Sequence, residues 1–570
     1  MTTIGTSVRD AARMARGCAE PGRLLAFAAA LFTASLVVVT EPFSAATAPE
    51  LPRAYVETAG VPPSGHMIRV SAGEDFQAAL NSAQPGDVIQ LAAGAAFTGN
   101  FTLPNKSGTG WIHIQSSALA SLPLQGTRVS PAQASLMPKL VSSNTNPVVS
   151  TASAAHHYRF IGIELTTTWA STSPTLQNLV VLEAPGGNTA LSQVPTDLIF
   201  DRCYIHGTPT GSVRRGIALN SARTAVVDSY VSDFHDSVND SQAIVGWSGP
   251  GPFKIVNNYL EAASENLEFG GMDPRIENLV PSDIEIRRNH LFKPLSWKVG
   301  HPTYAGIHWP VKNLFELKNA QRVLVEGNLF ENNWLDAQNG FGILFTVRNQ
   351  DGTAPWSVVQ DVTFTNNIVR HSGSGVNILG YDNNHPSQQI QRILIRNNLF
   401  DDISGPAWGG PGRLVQMLDG TANVVIDHNT AFQSGDFLGA FLVGGNRPHT
   451  GFVFTNNIAP NNQLGLNGQN TAGNPQLTLR TYFPGAVFAK NVLVSGKPSD
   501  YASENFFPAL LHDAGFLDLR AGNYRLAVSS RYKKAGTDGN DVGVDFEALL
   551  SASAAAGQPA QPAGKVARPQ

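Results

Sequence analysis

The sequence predicts an all-β chain wound as a single-stranded right-handed parallel β-helix with an N-terminal capping helix. Three observations carry that expectation: a strand motif that recurs down the chain, an asparagine at the same place in most copies, and a segment at each end suited to covering an open sheet edge. The motif runs apolar, any, apolar, two small or polar residues, then an apolar pair. It reads FKIVNNYL from Phe253, IEIRRNHL from Ile284, VLVEGNLF from Val323, VTFTNNIV from Val362, ILIRNNLF from Ile393, VVIDHNTA from Val424 and FVFTNNIA from Phe452. The asparagines are Asn258, Asn289, Asn328, Asn367, Asn398, Asn429 and Asn457, with spacings of 31, 39, 39, 31, 31 and 28 residues. Weaker copies begin at Arg159, Leu198 and Ala225, and Cys203 takes the asparagine column in the second.

A period this variable does not suit a propeller blade, and no unit carries a helix of its own. A coil that returns to one column after roughly 30 residues stacks its strands in parallel. The asparagines then lie about 4.8 Å apart and can satisfy one another and the bent backbone.

At the front, "VSAGEDFQAALNSAQPGDVIQLAAGAAFTGNFTL" offers an amphipathic helix from Asp75 to Ala83, a turn at Pro85-Gly86-Asp87 and a strand from Val88 to Leu91. This segment resembles the start of the pectin-lyase-like β-helix superfamily, in which a short helix before such a strand caps the solenoid. At the back, "NYRLAVSSRYKKAGTDGNDVGVDFEAL" resembles the closing segment of such proteins. The resemblance spans about residues 68–549 and implies one β-helix domain. Residues 550–570, rich in Ala, Pro and Gln, read as a disordered tail, and residues 49–67 as a linker.

Residues 1–48 read as an export signal. Arg9, Arg13, Arg16 and Arg23 precede an uncharged run from Leu24 to Val39, and small residues follow. The expected destination is secreted, periplasmic or extracellular; uncleaved, the run becomes a membrane anchor, the only membrane link expected. Cys18 leaves with the signal, so of two cysteines Cys203 remains alone, suited to a buried apolar position. Charged residues are only 14% of the chain, with 39 Lys and Arg against 43 Asp and Glu, which excludes a basic nucleic-acid-binding field. Nothing in the pattern calls for an oligomer, and a monomer is expected.

The strands that follow the repeat include NLEFGG, LFELKN and LFTVRN. Alternation points Leu267, Phe269, Phe315, Leu317, Phe345 and Val347 inward, and Asn266, Glu268, Glu316, Lys318, Thr346 and Arg348 outward onto one patch. The bland account is a surface ion-pair ladder, with pairs contributing roughly 0–1 kcal/mol each. The insertion "KPLSWKVGHPTYAGIHWPVK" beside this patch supplies Trp297, His308 and Trp309, and Trp247 and Tyr381 lie on flanking coils. Aromatic loops next to a charged sheet face suit a sugar-binding cleft.

In chemical layout the patch is similar to the alginate lyase and chondroitinase B family. That resemblance implies Lys318 as base, Arg348 as acid or charge stabiliser, and Glu268, Glu316 and Asn266 as ligands of calcium, acting on an anionic polysaccharide by β-elimination. The close spacing Glu316-Leu317-Lys318 departs from the family pattern. A glycoside hydrolase, a non-catalytic carbohydrate-binding protein and a structural cell-surface protein remain compatible with the residues. Asp401-Asp402 reads as a solvated turn; His206, His235 and His371 read as polar turn residues, or as a metal trio if their coils superimpose. Asp233, Asp236 and Asp240 lack the regular spacing of a calcium loop.

Overall fold

A computed structural model describes residues 46–557, except 436–440, 445–446 and 502–503. Residues 1–45 of the export-signal reading, with Cys18, therefore lie outside the described residues, as do residues 558–570 of the expected tail. No described helix is long and apolar enough to cross a membrane. The described chain winds as a parallel β-helix with three strands per coil rather than the two distinguished by the repeat, and its sheets have 14, 13 and 12 strands. In one coil Ala320–Glu326 lies in the first sheet, Leu329–Asn333 in the second and Phe341–Thr346 in the third. The extra sheet begins at the apolar pair that closes each motif.

Between the first and second sheets the chain turns within two residues, and this bend explains the motif. The residue before each asparagine has a left-handed backbone, as at Asn257 (φ 59), Arg288 (φ 56), Gly327 (φ 66) and Asn366 (φ 55). The asparagine then turns inward, fully buried, and its Oδ1 accepts the main-chain N–H of the preceding asparagine: Asn289 from Asn258 at 2.9 Å, Asn328 from Asn289 at 2.9 Å and Asn367 from Asn328 at 2.9 Å. Its Nδ2 donates to the next Oδ1 and to a carbonyl one coil back, as Asn328 does to Ile286 at 3.0 Å. The ladder is longer than the motif: Ser229 and Cys203 precede it, and Asn491 and Asn505 extend it. Cys203 is buried and unpaired, in line with its apolar setting.

The helix Phe76–Ser82 caps the first coil. Asp75 accepts the Ala78 N–H at 3.0 Å, and Phe76, Ala79 and Leu80 pack onto the core beneath. At the far end the helix Pro475–Tyr482 follows the last strands of the third sheet.

Residues 49–66 of the expected linker, with 46–48 ahead of them, are instead docked along the first sheet. The N–H groups of Thr47, Glu50 and Arg53 donate to Asn423 (3.3 Å), Asp361 (3.1 Å) and Asp283 (2.8 Å). These acceptors sit on every second coil, about 9.6 Å apart. Three residues of polyproline-type chain advance about 9.3 Å, so the strap and the solenoid keep step. The C-terminal segment also turns back. Gly543, Asp545 and Leu549 meet Asn456, Asn397 and Leu399, and the Ala556 carbonyl receives Arg128. A Cβ on Gly327 would lie 2.3 Å from the Ala552 carbonyl oxygen, which explains glycine in that one copy of the motif. The helix Phe546–Ser553 crosses the expected boundary at 549, so residues 550–557 belong to the fold and not to a disordered tail.

Asn328→Ala leaves the Asn289 N–H and the Ile286 carbonyl buried without their partner. It should cost about 2–4 kcal/mol, read as a lowered unfolding midpoint, whereas the exposed Asn384→Ala should change little.

Candidate active site

The third sheet's strands Arg215–Ala218, Gln242–Gly246, Glu265–Phe269 and Asn313–Leu317 lie on consecutive coils. Their register stacks Arg215, Gln242, Glu265 and Asn313 in one column, and Val245, Glu268, Glu316 and Leu344 in another. The expected inward residues Leu267, Phe269, Phe315, Leu317, Phe345 and Val347 are all fully buried in the core. Glu268, Glu316, Lys318 and Thr346 meet on the outer face, as alternation predicts. That face is roofed: Glu268 is 3% and Glu316 2% exposed.

Lys318 Nζ donates to Glu268 Oε1 at 2.7 Å and lies 3.8 Å from Glu316 Oε2. Glu316 also accepts from Thr346 Oγ1 at 2.8 Å and Asn313 Nδ2 at 2.9 Å. Glu265 accepts from Gln242 at 2.8 Å; its Oε1 accepts no hydrogen bond and lies 3.8 Å from Lys312, which pairs with Asp240. Above Glu268 opens a cleft of about 340 Å³, bordered by Arg214, Arg215, Asp240, Trp247, Lys312 and Lys318. Gly271 comes so close that a Cβ there would lie 2.5 Å from Glu268 Oε1.

Three buried carboxyl groups, Glu265, Glu268 and Glu316, share two ammonium groups, so the cluster favours retaining a proton. Burial pushes Glu265 up to about 8, with Glu268 and Asp240 adding to the effect and Lys318 and Lys312 opposing it. Burial also raises Glu268, opposed by Lys318 and reinforced by Glu316. For Lys318, burial disfavours the ammonium, but Glu268, Glu316 and Glu265 overcome it and hold the group above the usual lysine range. Burial lowers Arg215 to about 10.

This geometry corrects much of the expected site. Lys318 is held as a charged donor, the wrong state for a base. Arg348 turns to the neighbouring loop, pairing with Asp382 at 2.7 Å and with Asn383. Asn266 points inward: its amide donates to the Leu260 and Phe292 carbonyls and accepts from buried Lys293. At that corner two consecutive residues face the core, as Ala243 and Leu314 show on the adjoining coils. The small or apolar column Gly216, Ala243, Leu314 and Gly342 was the sequence sign of this turn.

Calcium does not fit here, because Glu268 and Glu316 are engaged by Lys318, Asn313 and Thr346 and Asn266 is absent from the face. Among the described residues no three His, Cys, Asp or Glu side chains form a metal-holding group. The possible histidine trio is likewise dispersed. His206 pairs with Glu164, His235 stacks on Trp309 with ring centroids 3.9 Å apart, and His371 pairs with Asp402 at 2.9 Å.

Of the expected sugar contacts, Trp297 and Trp309 are buried with Trp334 beneath the insertion, and His308 is exposed beside Asp336. Only Trp247 borders the cleft, with the Arg215 guanidinium 5.3 Å above its ring. Tyr381 borders a separate groove. The reading by alternation missed Arg214, Arg215, Asp240, Glu265 and Lys312. Aligning the first residue of each third-sheet strand reveals Arg215 and Glu265.

No family model matches the chain, and no curated protein matches it. Solved structures similar to it include a mannuronic acid specific polysaccharide family 6 lyase from human gut microbiota, at 11% identity and a TM-score of 0.47, over 78% of this chain and 91% of that one. Another is the catalytic unit of a GH87 α-1,3-glucanase from Streptomyces thermodiastaticus, at 11% identity and a TM-score of 0.43, over 80% of this chain and 69% of that one. A third is a pectate lyase, at 13% identity and a TM-score of 0.36, over 84% of this chain and 96% of that one.

Because Glu265 binds its proton more tightly in the fold than in the unfolded chain, its contribution to stability is full below its unfolded pKa near 4.3. That contribution is lost as pH rises through about 8. Melting midpoints measured across this window should fall more steeply in the wild type than in Glu265→Gln.

Proposed function

We propose that the protein is a polysaccharide-active enzyme that receives a glycan strand in the cleft and uses Glu268 as the proton donor for glycosidic hydrolysis. The observation that carries this reading is a buried carboxyl group, raised by its surroundings, at the wall of a polar cleft that a second carboxyl, Asp240, also borders. Two carboxyl groups of unequal environment are the set that acid and base steps at an acetal require. Glu268 gives its proton to the leaving oxygen as the glycosidic C–O bond breaks. Asp240 takes a proton from the water whose oxygen joins the anomeric carbon. Lys318 stabilises the Glu268 carboxylate that results, while burial and the neighbouring Glu316 favour its taking the proton back.

The cations Arg214, Arg215, Lys312 and Lys318 on the same cleft favour a substrate with carboxylate groups, and they support an anionic polymer. They equally suit β-elimination, in which a uronate carboxylate must be neutralised, but that reaction needs a base that Lys318, held charged, does not provide. Export remains part of this proposal, since a polymer substrate lies outside the cell.

The test is a panel of uronate and neutral polysaccharides, with products read by reducing ends and by ultraviolet absorbance. The reading predicts saturated products, a loss of at least about 100-fold in Glu268→Gln, and no effect of a calcium chelator. Ultraviolet-absorbing unsaturated ends would overturn hydrolysis in favour of elimination. Unchanged activity in folded Glu268→Gln would remove Glu268 from the chemistry.

A further inference from the structure

Beyond the cleft, a groove of about 550 Å³ runs beside the first sheet, bordered by Trp356, Gln360, Tyr381, Gln388, Gln389 and Gln391, with Val358 and Ser387 completing its wall. It carries no ionised side chain on its wall, in contrast to the cleft. We propose that this groove is a binding subsite for neutral sugar residues of a glycan chain.

The argument begins with the amides. Gln388 Nε2 donates to the Pro355 carbonyl at 2.9 Å, Gln389 Nε2 to the Gly420 carbonyl at 2.9 Å, and Gln391 Nε2 to Gln360 Oε1 at 3.1 Å. Each amide is oriented by its own donated hydrogen, and no described residue donates to the Oε1 of any of the three. Three amides that border the groove are therefore held in place, each with a carbonyl acceptor that no described residue uses. Sugar hydroxyls are donors that suit such acceptors, and holding the acceptors in place before binding reduces the ordering cost.

Gln360 is fixed in turn. Its Nε2 donates to Gln321 at 2.9 Å, and its Oε1 also receives Arg392 at 3.0 Å. This glutamine column climbs the first sheet, whose register fixes the part of the groove wall that Gln360 and Gln391 form. Two partly buried rings complete the chemistry. Trp356 is anchored by Nε1 donating to the Leu279 carbonyl at 3.1 Å, and Arg447 stacks on one face of Tyr381 at 4.3 Å. Indole and phenol surfaces suit the C–H faces of pyranose rings, and the polar tip of each is already satisfied or free to bond a hydroxyl.

Among the described residues no cation borders the groove itself, Arg392 being held by Asp361 and Arg447 lying over the Tyr381 ring, so the wall offers mainly amides and rings. A neutral sugar meets acceptors for its hydroxyls and rings for its faces. The inference shares a ligand class with the proposed function but does not depend on Glu268.

The test is affinity electrophoresis of the full chain through gels containing hydroxyethyl cellulose, galactomannan, polygalacturonate or alginate. The inference predicts retardation by at least one neutral polymer, weakened about tenfold in Tyr381→Ala and at least threefold in the exposed Gln388→Ala, with Glu268→Gln retarded as the wild type is. Melting midpoints confirm that the variants fold. Two results overturn it: no retardation by either neutral polymer, or retardation unchanged in both folded groove variants. Neither touches the cleft, whose activity is read from products.

Discussion

The structure depends on one repeated hydrogen bond, from the main-chain N–H of an asparagine to the Oδ1 of the asparagine one coil further on. At the turn between the first and second sheets the residue before the asparagine pairs its N–H with the next coil, but the buried asparagine's own N–H finds no carbonyl. The side chain supplies what the backbone lacks. Because each asparagine both gives to and receives from its neighbours, a slip of one residue anywhere would strand buried groups on two coils. Register fixed at this corner is carried around each coil, which is why Glu268 and Glu316 arrive on adjacent strands with Lys318 between them.

Both ends of the described chain then bind across coils already in register. The strap at residues 46–66 uses side chains on alternate coils, and the returning C-terminal segment uses the left-handed residues that precede the ladder asparagines. A solenoid in which each coil touches only its neighbours gains stability coil by coil. Segments that bridge many coils couple them, so the site in the middle is held by contacts from both ends.

The parts legible in the sequence were those imposed by a local requirement repeated many times. The asparagine column followed from spacing, and the inward positions from Leu267 to Val347 followed from alternation. Glu268, Glu316 and Lys318 were found together because their strands alternate regularly. Asn266 was misplaced because alternation breaks where the strand turns a corner and two consecutive residues face inward. Arg348 lies beyond the end of its strand, where a partner on a loop, Asp382, decides its direction. Trp297 and Trp309 sit in an insertion, and whether such a ring covers a cleft or packs underneath is set by contacts with His235 and Trp334 that no pattern encodes. The docking of the expected linker went unforeseen for a similar reason: Asp283, Asp361 and Asn423 receive it from positions hundreds of residues away.

What the ladder builds at its middle is a floor where buried carboxyl groups outnumber the ammonium groups between them, beneath a cleft whose walls are charged and polar. Burial in such a floor raises the pKa of both Glu265 and Glu268, and of the two Glu268 borders the cleft. The most direct measurement is a crystal structure of Glu268→Gln soaked with oligosaccharide fragments of the uronate and neutral polymers in the panel. A glycosidic oxygen within hydrogen-bond distance of residue 268, with the chain passing between Trp247 and Lys312, is the predicted result. A fragment bound elsewhere, with the cleft empty, would contradict it.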